Sequence, residues 1–364
     1  MIDRRLISNF DWALLGITLF FSILGIINLY SASYSFSAGR TPVYIKQIYY
    51  ILIGLVGIVI ILQIDYKNLE RYAYWIYAFS VLLLVAVLLV GKTGGGAKRW
   101  IGIMGFTYQP SELMKLTLIL ALAKYFYNRN KVGGYYLRDL IVPFMMVGVP
   151  SLLIMKQPDL GTALILLSIF GSIILFVGVR LPSLLIAGSS LIAGVPILWH
   201  FMKDYQKMRL MTFLNPEADP LGSGYHIIQS KIAVGSGKIF GRGLLSGTQS
   251  QLQFLPEHHT DFIFSVLAEE WGFIGSMIVI MGFLFLVLWG VSIAKECKDR
   301  FGTILSFGVI AMISWHFLIN IGMVVGLMPV VGVPLPFFSY GGSFIMTILI
   351  GIGLLLNIRM RRFG

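Results

Sequence analysis

Runs of roughly twenty apolar residues recur along this chain from end to end, each long enough as a helix to cross a hydrocarbon core of about 30 Å. Few folds admit that pattern, because a backbone in lipid must satisfy its hydrogen bonds within one helix or around a closed barrel. The runs are continuous and do not alternate, which selects helices. Only 12% of the 364 residues are charged, 57% are hydrophobic and the mean hydropathy is +0.84. A soluble domain carries about 25% charged residues. The chain is read as an all-α integral membrane protein, one polytopic domain over 1–364 with no separate soluble domain.

Hydropathy places about ten transmembrane helices, near 10–31, 46–64, 71–91, 111–127, 139–155, 160–179, 182–201, 262–294, 302–327 and 340–358. The eighth would be about 50 Å long, so part of it should tilt or stand clear of the bilayer. The first follows Arg4 and Arg5 without a small-residue cleavage site and is read as a retained helix, not a signal peptide. With the N-terminus in the cytoplasm, the inner segments hold Lys67, Arg71, Lys124, Arg129, Lys131, Arg138, Arg180, Lys295, Lys298, Arg300, Arg359, Arg361 and Arg362. The short outer loops hold Arg40, Lys46, Lys92, Lys98, Arg99 and Lys156. The asymmetry puts both termini inside and one long loop, about 202–261, outside between the seventh and eighth helices.

The same rule accounts for most of the net charge of +12, and no basic domain or aromatic-interleaved basic patch points to nucleic acid. The single cysteine, Cys297, excludes internal disulfides and cysteine-based metal sites.

Polar residues concentrate on the outer face. Gly94-Gly95-Gly96-Ala97-Lys98-Arg99-Trp100 reads either as a flexible loop with an interfacial tryptophan or as a backbone that approaches an anionic ligand, with Lys98 and Arg99 as donors to phosphate. In Gln109-Pro110-Ser111-Glu112, Pro110 and Glu112 suit a helix N-terminus, and Lys115 either pairs with Glu112 one turn away or stands as a buried cation beside an anionic ligand. In Lys156-Gln157-Pro158-Asp159-Leu160-Gly161, Asp159 caps a helix or lines a polar cavity with Lys156. Residues 225–237, which include Gln229 and Lys231, suggest a short amphipathic helix at the membrane interface that ends at glycine. The glycines from Gly235 to Gly247, interleaved with Lys238 and Arg242, read as backbone made to fold over an anionic lipid-linked substrate.

The long loop ends in Phe254-Leu255-Pro256-Glu257-His258-His259-Thr260-Asp261-Phe262, which sets two carboxylates and two imidazoles against the start of an apolar helix. Asp261 there is either a helix cap or a general base, its basicity raised by desolvation and lowered by the helix terminus and nearby cations. No spacing in this cluster matches a zinc site. Glu269 and Glu270 lie two turns into the helix, where carboxylates need a cavity or a cation, with Lys115 or Arg99 as candidates. The uncharged, proline-stiffened stretch 328–343 reads mainly as scaffold, with Ser339 and Ser343 available to a sugar or phosphate.

In order along the chain, Gly96 to Ile101, Gln109 to Glu112, Lys156 to Gly161, Gln229-Ser230 with Gly235-Ser236-Gly237, Phe254 to Phe264, Glu269-Glu270 and Pro336 to Ser343 resemble the SEDS family (shape, elongation, division and sporulation). Compact ends and Gly247-Thr248-Gln249 before Phe254 look more like its elongation member than its division member. The resemblance implies a multi-pass protein of the bacterial cytoplasmic (inner) membrane that polymerises lipid II, an undecaprenyl-pyrophosphate-linked disaccharide pentapeptide, into β-1,4 glycan strands. It also implies a class B penicillin-binding protein as transpeptidase partner, alongside other elongation-complex proteins. By motif, Asp261 is similar to the essential acidic residue of the family's long loop, which makes it the expected general base of an inverting displacement. Lys98, Arg99, Lys115, Lys156, Arg209 and Arg242 are expected to stabilise the leaving group, Arg99 and Lys115 foremost. Glu112, Asp159, Gln229, Lys231, Glu257, His259, Glu269, Ser339 and Ser343 complete the expected substrate-binding set. A divalent cation is the one candidate cofactor, and no residue pattern supplies a clear site for it.

The main rival is a lipid II flippase, which should place ionisable groups near the midplane and facing both sides. Here they gather on the outer face. A noncatalytic scaffold would leave the Asp261 cluster without a purpose.

Overall fold

Helices occupy the segments where the apolar runs predict them. The computed structural model describes residues 9–34, 41–94, 97–103, 106–131, 133–218, 222–251 and 259–362. Arg4, Arg5, Arg40, Gly95, Gly96 and 252–258, with Glu257 and His258, lie outside the described residues. In chain order the helices are α1 (Trp12–Ser33), α2 (Val43–Gln63), α3 (Tyr66–Val90), α4 (Pro110–Asn128), α5 (Ile141–Lys156), α6 (Leu160–Val177) and α7 (Leu181–Phe201). The long loop contributes α8 (Asp204–Leu214), α9 (Ser223–Ser236) and α10 (Thr248–Gln251), and α11 (Ile263–Glu296), α12 (Arg300–Val324) and α13 (Gly342–Met360) follow. Among the described residues, eight helices are long and apolar enough to cross a membrane. The other two at expected spans are α4, which carries Glu112, Lys115 and Lys124, and α7, whose apolar part is the shorter Leu181–Pro196.

Burial orders the helices. The buried share of the apolar window is 22% in α2 and in α3 but 67% in α12 and 83% in α13, so the last two form the centre and α2 and α3 face lipid. α13 packs mainly on α2, α12 on α11, α6 and α4, and α4 also on α3. Small residues allow these approaches: a Cβ on Gly290 of α11 would lie 2.0 Å from Ile310 Cδ1 of α12.

The glycine-rich outer segment after α3 is a three-stranded antiparallel sheet, β1 (Lys92–Gly94), β2 (Ala97–Ile103) and β3 (Phe106–Tyr108), in that order. Gly94 and Gly102 lie within its strands. The expected amphipathic helix is present as α9, with Gly237 as its C-cap. Its inner face is protein-bound: Ile227, Ser230 and Ala233 are buried, and the Ser230 hydroxyl donates to Val324 O at 2.7 Å while lying 2.8 Å from Ser265 Oγ.

The long eighth span resolves its excess length by breaking. Gly272 adopts φ 65° and ψ −161° inside α11. The backbone groups freed there are taken up by the loop after α9. Phe273 N donates to Lys238 O (2.9 Å) and Ile274 N to Ile239 O (3.1 Å), while Arg242 N donates to Glu269 O and Gly243 N to Glu270 O, both at 3.0 Å. Buried backbone in lipid requires such replacement.

At the opposite end of the bundle, Asp11 at the start of α1, Glu296 at the end of α11 and Arg359 and Arg362 at the end of α13 meet in one ion-pair cluster, with Arg359 Nε 3.5 Å from Asp11 Oδ2. The segments assigned to the inner side by charge are thus on one end.

Candidate active site

Asp261 lies in a turn that precedes α11. The helix starts at Ile263 with Phe262 as N-cap. Asp261 is partly exposed, and Phe262 to Glu270 behind it are buried. Asn320 holds the turn from below, its Nδ2 donating to Asp261 O (2.8 Å) and Val333 O (2.7 Å). Tyr340 N donates to His259 O at 2.9 Å. The fully buried Ser339 donates its hydroxyl to Thr260 O (2.6 Å) and accepts from Leu335 N (2.7 Å). Gly332, at φ +75°, passes so close that a Cβ on it would sit 3.4 Å from Asp261 Oδ2.

The other outer motifs converge on the same loop. Ser343 Oγ accepts from Gln109 N at 3.0 Å, and Gln109 Nε2 donates to Asp159 Oδ2 at 3.0 Å. Asp159 is the N-cap of α6, accepting from Thr162 N (3.2 Å) and Thr162 Oγ1 (2.9 Å). Arg99 donates to Gln157 O (2.9 Å) and to Pro158 O. A Cβ on Gly161 would meet Val331 O at 2.6 Å, so the α5–α6 turn abuts the stretch that carries Gly332.

Beneath them lies a buried polar chain. Lys115 is fully buried, with Nζ 2.8 Å from Glu112 Oε2 and 2.9 Å from His316 Nε2. His316 Nδ1 lies 3.2 Å from Pro334 O. A carbonyl only accepts, so Nδ1 carries the hydrogen and Nε2 accepts from the lysine. Lys115 is thus paired with Glu112 and His316, as a buried charge requires a partner. His316 and Asn320 went unmarked in the sequence reading, although polar residues inside an apolar span are themselves a signal.

Glu269 and Glu270 do not reach Lys115 or Arg99. Glu269 Oε1 accepts from Thr248 N (2.8 Å), Gln249 N (3.1 Å) and Thr248 Oγ1 (3.1 Å), which makes it the cap of α10. Glu270 accepts from Ser31 Oγ. Arg242 donates to Thr248 Oγ1 at 2.9 Å and belongs to this second cluster at the helix break. Two glycines of the loop pack against the break: a Cβ on Gly237 would lie 1.9 Å from Ala268 O, and one on Gly241 2.1 Å from Glu270 O. Ser339 and Ser343 likewise are tied to the protein's own backbone. Lys98, Lys156 and Lys231 are exposed, and Gln229, Arg209 and His259 are partly buried.

The cell cycle protein family of FtsW, RodA and SpoVE matches residues 11–363. The chain is 42% identical to peptidoglycan glycosyltransferase MrdB of Escherichia coli strain K12, over 93% of this chain and 92% of that one. A chain from a peptidoglycan synthase complex, solved for the coordination of polymerization and crosslinking, superposes with a TM-score of 0.83 at 31% identity, covering 98% of this chain and 99% of its own. The crystal structure of Thermus thermophilus rod shape determining protein RodA gives a TM-score of 0.72 at 28% identity, covering 98% of each chain.

Proposed function

The chain belongs to the FtsW, RodA and SpoVE family, and we propose that it is a peptidoglycan glycosyltransferase of the elongation type, polymerising lipid II at the outer face of the bacterial cytoplasmic membrane. In this reading it crosses the membrane ten times with both termini in the cytoplasm. The GlcNAc 4-hydroxyl of one lipid II attacks the anomeric carbon of another. The C–O bond to undecaprenyl pyrophosphate breaks as the new β-1,4 bond forms, and the hydroxyl proton passes to Asp261. An α-linked donor and a β-linked product require one inversion, with no covalent enzyme intermediate.

The observation that carries the proposal is the state of Asp261: a partly exposed residue whose turn is fixed through Asn320 and Ser339. A general base must be both reachable and held. Arg99, at the rim of the same site, and the exposed Lys98 and Lys156 are the cations we assign to the leaving pyrophosphate. The chemistry of the relatives also suggests a crosslinking partner, which we take to be a class B penicillin-binding protein.

The test is polymerisation of labelled lipid II by purified protein, with and without that partner. Wild type should make glycan strands, and folded Asp261→Asn and Asp261→Ala should not. Strand synthesis retained by both variants would overturn the assignment of the base. Lipid II translocation in vesicles without any glycan product would instead favour a flippase.

A further inference from the structure

The break in α11 opens a groove that the polymerisation reaction leaves unused. It has a volume of about 300 Å³ and is lined by Phe240, Leu244, Trp271, Ile274, Gly275 and Ile278, with Glu270 at its base. A narrower recess of about 30 Å³ shares Trp271, Gly275 and Ile278 with it and is also lined by Leu24 and Asn28 of α1. Phe240 is 80% exposed and Ile278 56%, so the groove opens sideways from two membrane-crossing helices toward lipid.

Two buried polar atoms have no hydrogen-bond partner, Oε2 of Glu270, which lines the groove, and Oδ1 of Asn28, which lines the recess, on residues 2% and 1% exposed. Both are acceptors. The orientation of the Asn28 amide is fixed, because its Nδ2 donates to Ile263 O at 3.1 Å. The carboxylate already accepts from the Ser31 hydroxyl at its other oxygen and from the Leu245 backbone. A buried acceptor left without a donor costs about 1–3 kcal/mol, more for a charged one, so the pair calls for a ligand that brings N–H or O–H groups. The carboxylate repels phosphate and selects a cation. The apolar walls select a hydrocarbon chain.

Depth agrees with a headgroup. Asn28 and Ser31 lie in the last turns of α1, and Glu270 is two turns, about 10 Å, from the start of α11. The ends of both helices are therefore near.

We propose that the recess between α1 and the broken α11 binds a phospholipid whose headgroup ends in a primary ammonium. The ammonium bonds Glu270 Oε2 and Asn28 Oδ1, and an acyl chain lies along Trp271, Ile274 and Ile278. A trimethylated headgroup has the same charge but no N–H to give, so hydrogen bonding and not charge alone sets the preference.

The test uses the full chain in liposomes that contain lipids brominated on the acyl chain, which quench tryptophan on contact. The chain has 7 tryptophans, so the Trp271 signal is isolated by difference from Trp271→Phe. Brominated phosphatidylethanolamine should quench Trp271 at about tenfold lower mole fraction than brominated phosphatidylcholine. The preference should decline stepwise through the mono- and dimethylated headgroups. Folded Glu270→Gln should lose most of it. If that variant does not fold, the methylation series on wild type decides alone. Equal quenching by the ethanolamine and choline lipids would mean that the recess holds only water and would overturn the proposal. Strongest quenching by phosphatidylglycerol, or an unchanged preference in folded Glu270→Gln, would overturn it as well.

Discussion

Ser339 and Asp261 divide the work of one site. The hydroxyl of Ser339 bridges Thr260 O and Leu335 N in a fully buried place, so Ser339→Ala leaves both backbone groups unmatched. The expected cost is about 1–3 kcal/mol in thermal unfolding, with polymerisation reduced because the Asp261 turn loses a support. With Asp261 as the proposed base, Asp261→Asn removes it with little change of shape, and glycan synthesis should fall at least about 100-fold while the melting temperature stays close to wild type. His316 offers a finer test. Glutamine can still accept from Lys115 and donate to Pro334 O, so His316→Gln should retain more activity than His316→Phe, which leaves the Lys115 ammonium with Glu112 but without its second partner. At the other end, burial and the neighbouring Asp299 push the Cys297 thiol up to about 11, so at neutral pH it is protonated. Its alkylation should be slow at pH 7 and rise about tenfold per unit toward that value, as followed by mass spectrometry. The pairing of Lys115 with Glu112 and the capping by Asp159 were legible in advance, because both depend on spacing within one turn. The roles of His316, Asn320 and Ser339 were not, because their partners are backbone atoms of segments that only the tertiary fold brings near.

At the scale of elements, the break in α11 is the feature that apolar periodicity hides. A glycine in a long hydrophobic run reads as a small residue for helix contact, and only the length of the run hinted that the helix does not continue straight. At φ 65°, Gly272→Ala would be strained by about 1–2 kcal/mol. Its Cβ would also lie 2.2 Å from Gly241 N, so the loop must move away. The expected outcome is a lower unfolding temperature in detergent together with faster hydrogen exchange at Phe273 and Ile274, whose amides donate to the loop. The β1–β3 sheet was hidden for a related reason, since clustered glycines resemble a flexible linker until strand pairing is seen.

Taken whole, the molecule has two chemically distinct ends. One gathers Asp11, Glu296, Arg359 and Arg362 into ion pairs, and the other gathers Arg99, Gln109, Asp159, Asp261 and Ser339. Hydropathy made the helical layout readable before any coordinates, since it follows from the bilayer and not from particular contacts, and charge asymmetry predicts which end faces the cytoplasm. The sidedness can be checked in a Cys297→Ser background. A membrane-impermeant maleimide added to spheroplasts should label Lys98→Cys but reach Lys131→Cys only after lysis. The broken helix also has a meaning for biogenesis. A 34-residue apolar segment enters the membrane by its hydrophobicity, yet its backbone is not self-sufficient at Gly272. The stretch that completes it, residues 238–243, precedes it in the chain and is synthesised earlier. Order of synthesis thus supplies the missing hydrogen bonds as soon as they are needed, with no dependence on later chain.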